Sequence, residues 1–109
     1  MKSNINIGGS LMKIKKAAIA GTFESSDITV SIQPNSENEV SIRLKSSVEK
    51  QFGDQIKKVI LDTLKELDVK SASVGVNDKG ALDCVIKARV ETAVMRAAEE
   101  TKFNWKVRN

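Results

Sequence analysis

The chain has 109 residues, with 18 Lys and Arg against 14 Asp and Glu, 40% hydrophobic residues and no histidine or tyrosine. That length holds one ordinary domain with a single core and leaves no room for a catalytic domain beside a regulatory one. No apolar run approaches the roughly 18 residues needed to span a bilayer, and the single cysteine, Cys84, excludes an intrachain disulfide, so a cytoplasmic chain without membrane contact is expected.

The positive charge lies at one end. Lys2, Lys13, Lys15 and Lys16 fall in a stretch free of acids and account for the whole formal net charge of +4, so the remainder is expected to be neutral, with the basic stretch a solvated tail. The opening MKSNINIGGSL carries a linker-like Gly-Gly-Ser and is followed by a second methionine, Met12. Residues 1–11 therefore read as an added or disordered leader, and residues 12–109 as one domain.

The next feature is GTFESSDIT, Gly21 to Thr29, in which Ser25 and Ser26 stand between Glu24 and Asp27. Gly21 and the small residues before it suggest a mobile arm around residues 20–27, with hydroxyls that either bond nearby backbone or serve a function. Ile28, Val30 and Ile32 then alternate with polar residues, the period of a half-buried strand that Pro34 ends. Val40, Ile42 and Leu44 repeat the pattern, and the turn-rich QPNSENE between them suggests an antiparallel hairpin.

Ser46 and Glu49 have the spacing of a capping box, which places a helix start near Ser47. Val48, Phe52, Ile56, Val59, Ile60, Thr63, Leu64 and Leu67 follow helical spacing and are expected to face the core. Gly53 interrupts that helix and marks either a late start or close backbone packing. Ala72, Val74 and Val76 form a third alternating strand ending in the turn-like Asn77-Asp78-Lys79-Gly80. From Ala81, the set Leu82, Val85, Ile86, Ala93, Val94 and Ala97 predicts a second amphipathic helix ending near Glu99; FNWKV could add a terminal edge strand, with Phe103 and Trp105 either closing the core or contacting a partner. The fold class expected is α+β: a two-layer sandwich of order β-β-α-β-α, with a small, mostly antiparallel sheet and both helices on one face.

Catalytic equipment is sparse. Without histidine the commonest general base and zinc nitrogen ligand are missing, and no catalytic residue or metal site is expected. Cys84 has no neighbouring base and reads as a half-buried helix thiol. Asp78 and Asp83 could form a carboxylate pair, but Asp83 already suits the positive end of a helix. Phe23, Phe52, Phe103 and Trp105 do not lie on the exposed face of a predicted central strand, so base stacking is not indicated and no nucleic acid is expected as a partner. A stand-alone nucleic-acid module would have to rely on Lys13, Lys15 and Lys16.

AGTFESSD, SSVEKQFGDQI and NDKGALDCVIKARVETAVMRAA, collinear from about Met12 to Trp105, resemble the acyl carrier (gamma) subunits of citrate lyase. In that family the first serine of a Glu-Ser-Ser-Asp or Glu-Ser-Gly-Asp arm carries a phosphoribosyl-dephospho-coenzyme A group through a phosphodiester. The resemblance implies that Ser25 is the attachment residue, with Ser26 the alternative; under it Glu24 and Asp27 are either recognition residues for the modifying enzyme or solvated loop acids. It implies a covalently attached cofactor of the triphosphoribosyl-dephospho-CoA type. It implies four partners: the alpha (acyltransferase) and beta (citryl lyase) subunits, a prosthetic-group transferase and an acetylating ligase. The carrier would hold acetyl and citryl thioesters while citrate is cleaved to acetate and oxaloacetate, with the reactive sulfur on the cofactor rather than on Cys84. The remaining alternative is a structural assembly subunit indifferent to loss of both serines.

Overall fold

The structure is a computed structural model and describes residues 12–99. Its elements are β1 (Ala18–Gly21), β2 (Ile28–Gln33), β3 (Val40–Ser46), α1 (Glu49–Glu66), β4 (Ala72–Asp78) and α2 (Asp83–Ala98). The class is the expected small α+β fold, with one strand more than the sequence pattern showed. β1 escaped the pattern because it is only four residues long and Ala-Ile-Ala-Gly shows little alternation. The leader, residues 1–11, and FNWKV with Phe103 and Trp105 lie outside the described residues.

The sheet order is β1-β2-β4-β3. β1 and β2 pair antiparallel, as do β2 and β4, whereas β3 and β4 are parallel. The expected β2–β3 hairpin is therefore not formed: β4 lies between the two strands. They still run in opposite directions, but residues 34–39 arch over the start of β4 instead of closing a hairpin. That arch is fixed by Ser71 Oγ, which donates to the carbonyls of Asn35 and Glu37 at 2.8 and 2.6 Å, and by the Ala72 amide, which donates to Glu39 O at 3.1 Å. The parallel partners β3 and β4 are joined through α1, as parallel neighbours require a crossover rather than a tight turn.

One face of the sheet carries the core. Val30, Ile32, Ala72, Val74 and Val76 are buried there, with α2 over β1 and β2 and α1 over β3. The buried stripe of α1 runs through Gly53, Ile56, Ile60, Thr63, Leu64 and Leu67. Gly53 is buried inside a helix that already begins at Glu49, so it does not mark a late start. Phe52, expected in the core, lies beside the stripe and is 49% exposed. Leu82, counted with the apolar set of α2, precedes the helix and is also exposed.

The capping box does not form. Ser46 ends β3 and α1 begins only at Glu49, so the Ser46 hydroxyl accepts from the Val48 amide at 3.1 Å and donates to Asp78 at 2.8 Å. At the other end Asp68 turns left-handed with φ of 60°. The amides of Asp68 and Val69 bond back to Lys65 O and Leu64 O at 3.0 and 2.9 Å, a Schellman closure that turns the chain toward β4.

Residues 12–16 are docked and do not form a solvated tail. Met12 and Ile14 are buried, the Met12 amide donates to Asp68 O at 3.2 Å, and the amides of Lys15 and Lys16 donate to Ala97 O at 2.9 and 3.1 Å. Lys13 and Lys15 remain exposed, and Lys16 pairs with Glu99 at 3.5 Å.

Truncating the fully buried Ile60 leaves a cavity under the sheet, so Ile60→Ala is expected to lower the free energy of unfolding by about 2–5 kcal/mol. Leu61→Ala, one residue on but 44% exposed, should change it by no more than about 0.5 kcal/mol. Urea unfolding of the two variants checks the contrast.

Candidate functional site

The segment expected as a mobile arm is the end of β1 and the hairpin loop Thr22–Asp27 that joins it to β2. Gly21 makes that hairpin possible. It pairs with Thr29, has φ of +99°, and a Cβ there would stand 1.8 Å from Ile28 O. Only a residue without a side chain fits both demands.

From Gly21 the chain makes a tight turn. The Asp27 amide donates to Glu24 O at 3.1 Å, placing Ser25 and Ser26 at the two central positions. Ser26 takes φ of 66°, a left-handed conformation usually reserved for glycine. Its amide donates to Lys79 O at 2.8 Å and the Lys79 amide donates to Asp27 O at 2.9 Å. These two bonds continue the β2–β4 ladder one step beyond Ile28 and Asp78, so the backbone of Ser26 and Asp27 is anchored to the end of a central strand.

Asp27 holds the loop from the other side. Arg89 of α2 donates through Nε to Oδ1 at 3.1 Å and through Nη2 to Oδ2 at 2.7 Å. Thr22 Oγ1 donates to Oδ2 at 2.6 Å, and the Ile28 amide to Oδ1 at 2.7 Å. The Arg89 hydrogen bonds, followed by those from Thr22 and Ile28, hold the Asp27 carboxyl well below the usual carboxylate range; the same pairing raises the Arg89 pKa. Thr29 Oγ1 donates to Thr22 O at 2.6 Å, closing the loop on itself.

Ser25 stands at the exposed corner of this turn. Neither its hydroxyl nor that of Ser26 has a hydrogen-bond partner among the described residues, so the reading of backbone-bonding hydroxyls does not describe them. Glu24 is exposed, and among the described residues only its backbone is bonded, with its amide donating to Thr22 Oγ1 at 3.2 Å. The structure thus separates the two candidate recognition residues: Glu24 faces solvent, whereas all the contacts of the Asp27 carboxylate are internal.

Among the described residues, nothing catalytic gathers around the serines. Cys84 is exposed rather than half-buried. Asp78 and Asp83 do not act as a pair: Asp78 is buried, bonded to Ser46 and to the amides of Gly80 and Ala81, and Asp83 accepts from Gln55 Nε2 at 3.2 Å. No group of three metal-ligating side chains occurs among the described residues, and no helix among them is long and apolar enough to cross a membrane.

Two elements of the site were missed in the sequence. Lys79 acts through its backbone, which leaves no trace in its side-chain type. Arg89 did leave a trace: it stands three residues after Ile86 and four before Ala93, inside the apolar stripe of α2, where a charge must find a partner.

The geometry defines a small α+β domain that displays two hydroxyls on a braced loop, and among the described residues neither hydroxyl is bonded and no reactive group gathers beside them. The family described as malonate decarboxylase delta subunit, an acyl carrier family, matches residues 15–97. Among curated relatives, the citrate lyase acyl carrier protein of Streptococcus mutans is 58% identical over 87% of this chain and 93% of its own length, and that of Clostridium perfringens is 55% identical over 86% and 93%. Among solved structures, a chain of a Pseudomonas malonate decarboxylase hetero-tetramer has a TM-score of 0.69 at 19% identity, over 77% of this chain and 86% of that one, a likeness of fold. The chain belongs to the acyl carrier family of the citrate lyase acyl carrier proteins. The family is one of carriers, not of catalytic subunits.

Ser26→Gly removes the left-handed strain and is expected to leave the fold intact or stabilise it by up to about 1 kcal/mol in urea unfolding, whereas Gly21→Ala should lose the β1–β2 hairpin. The Asp27 carboxylate contributes stability that is fully present above its unfolded pKa of about 3.9 and is lost as the pH falls through its lower folded value. Acid titrations of unfolding should therefore show a shallower decline below about pH 4 for Asp27→Asn than for the parent protein.

Proposed function

We propose that this chain is the acyl carrier subunit of a citrate lyase and that Ser25 carries its prosthetic group through a phosphodiester. The observation that supports the assignment most is the unbonded, exposed hydroxyl of Ser25 on a loop whose backbone is held by Lys79 and Arg89. The residues present fit a covalently attached group: an esterified Ser25 oxygen displaces no hydrogen bond to any described residue and stands at an exposed corner of the turn. Ser26 is the poorer candidate, since its amide is committed to Lys79 and its backbone is already strained.

The group, of the phosphoribosyl-dephospho-coenzyme A type, supplies a terminal thiol on which acetyl and citryl are carried while citrate is cleaved to acetate and oxaloacetate. The chain's own part is presentation. The β1–β2 loop offers one hydroxyl at a fixed place, and Glu24, whose side chain is exposed and unbonded among the described residues, is available to a transferase that must bring its own base, because no histidine exists in the chain. Asp27 is a positioning residue: bound to Arg89 and Thr22, it holds the turn and does not reach outward. Tethering then raises the local concentration of the acyl group at the partner active sites without any catalytic residue on the carrier. The partners in this reading are an alpha (acyltransferase) and a beta (citryl lyase) subunit, the transferase and an acetylating ligase, all in the cytoplasm.

Reconstitution with alpha and beta subunits tests this. Ser25→Ala is expected to assemble normally, gain no mass when treated with transferase and precursor, and support no citrate cleavage; Ser26→Ala should keep both the mass gain and turnover. Full turnover with Ser25→Ala would overturn the reading.

A further inference from the structure

Among the described residues nothing covers the face of the sheet away from the helices, and its side chains are sorted by charge. Antiparallel and parallel registers place Ile19, Ser31, Gly75 and Arg43 in one row across all four strands. The adjacent row, closer to the serine loop, is Gly21, Thr29, Asn77 and Lys45. Gly75 gives the first row a low floor. A Cβ there would come within 3.0 Å of Ser31 Oγ, and Ser31 itself lies down on the strand, donating to Gly75 O at 3.3 Å.

The result is a shallow recess with unlike rims. A recess of about 390 Å³ is bounded by Ile19 and Phe23 on one side and by Arg43 and Lys45 on the other, and one of about 630 Å³ continues it along the sheet. Ile19 is 54% and Phe23 64% exposed, more than core packing would leave them. No acidic side chain lines either recess, and Arg43 and Lys45 make no ion pair among the described residues. Being two apart on an edge strand, these cations project to the same side. With strands about 4.8 Å apart, the apolar and cationic rims are separated by about 14 Å of backbone.

An occupant matched to this recess is anionic at one end and flat or apolar at the other, and Phe23 is only two residues from Ser25. We propose that the open face is a resting site for the group esterified at Ser25, in which Arg43 and Lys45 hold its phosphates and Phe23 and Ile19 cover its nucleobase. This rests on the carrier assignment. A guanidinium fork and an ammonium suit phosphate oxygens, and an exposed aromatic ring suits a base. The contacts are at the surface and therefore reversible, so the thiol is released when a partner site competes for it.

The test compares amide NMR spectra of the unmodified chain and of the chain carrying the group, with intact mass confirming attachment. Docking is expected to shift the amides of Ser31, Gly75, Asn77 and Lys45 as well as those of the loop. The shifts on the sheet should fade at about 1 M salt, where the Debye length is about 3 Å. They should vanish in the Arg43→Glu, Lys45→Glu double variant, whose unmodified spectrum shows whether the fold is retained. Shifts confined to residues 22–28 in a chain of the correct added mass would overturn the resting site and leave the carrier assignment standing. A chain that never gains the mass, with the transferase active on another carrier, would overturn both.

Discussion

Asp78 and Lys79, at the end of a central strand, are where the parts of this domain meet. The buried Asp78 carboxylate accepts hydrogen bonds from Ser46 Oγ at 2.8 Å, Gly80 N at 3.1 Å and Ala81 N at 2.9 Å, and its carbonyl accepts from Ser47 N at 3.1 Å. It thereby ties together the end of β3, the approach to α1 and the turn into α2. A buried carboxylate without these donors would be strongly destabilising, so the arrangement is all-or-none. Gly80 completes it by taking φ of +91° with open space around it. Lys79, one residue on, uses both of its backbone polar groups to bind the serine loop. The loop is thus referred to the same point as both helices.

This explains how a carrier can present a reactive site without gathering reactive groups. The loop is held in three directions: by the β1 strand through Gly21, by β4 through Lys79, and by α2 through the two-point contact of Arg89 with Asp27. A charged pair that is only partly buried adds modestly to overall stability, but its planar fork fixes the orientation of the loop that carries the two hydroxyls. The long reach of a carrier then belongs to the attached group, and the polypeptide supplies a defined origin for it. The four-strand sheet and α2 make that origin rigid.

Much of this was legible in residue patterns, because alternation and helical spacing report burial directly. β2, β3, β4, α1 and α2 were all readable from their apolar periods. What failed depended on which elements become neighbours. Val40–Leu44 alternates equally well beside Ile28–Ile32 or beside Val74, and only the insertion of β4 decides between them; the six-residue connection, long for a hairpin, was the available clue. The capping box at Ser46 was displaced because Asp78, distant in sequence, claimed the same hydroxyl. Phe52 sat close enough to the stripe to look buried, and the difference is set by how α1 rolls on the sheet. At the site, the serines were visible by motif and family resemblance, whereas the brace was not: Lys79 acts through backbone and Arg89 from a remote helix. The lone charge inside the α2 stripe was the one sign of it.

In the proposed carrier role the turn presents Ser25 for modification and commits Ser26, through its backbone, to the framework. Site-localising tandem mass spectrometry of the modified chain, using fragmentation that preserves phosphodiesters, tests it most directly, because the fragment between the two serines assigns the added mass to one of them. The account predicts that the whole added mass resides on Ser25. Mass on Ser26, or shared between the two, would contradict it.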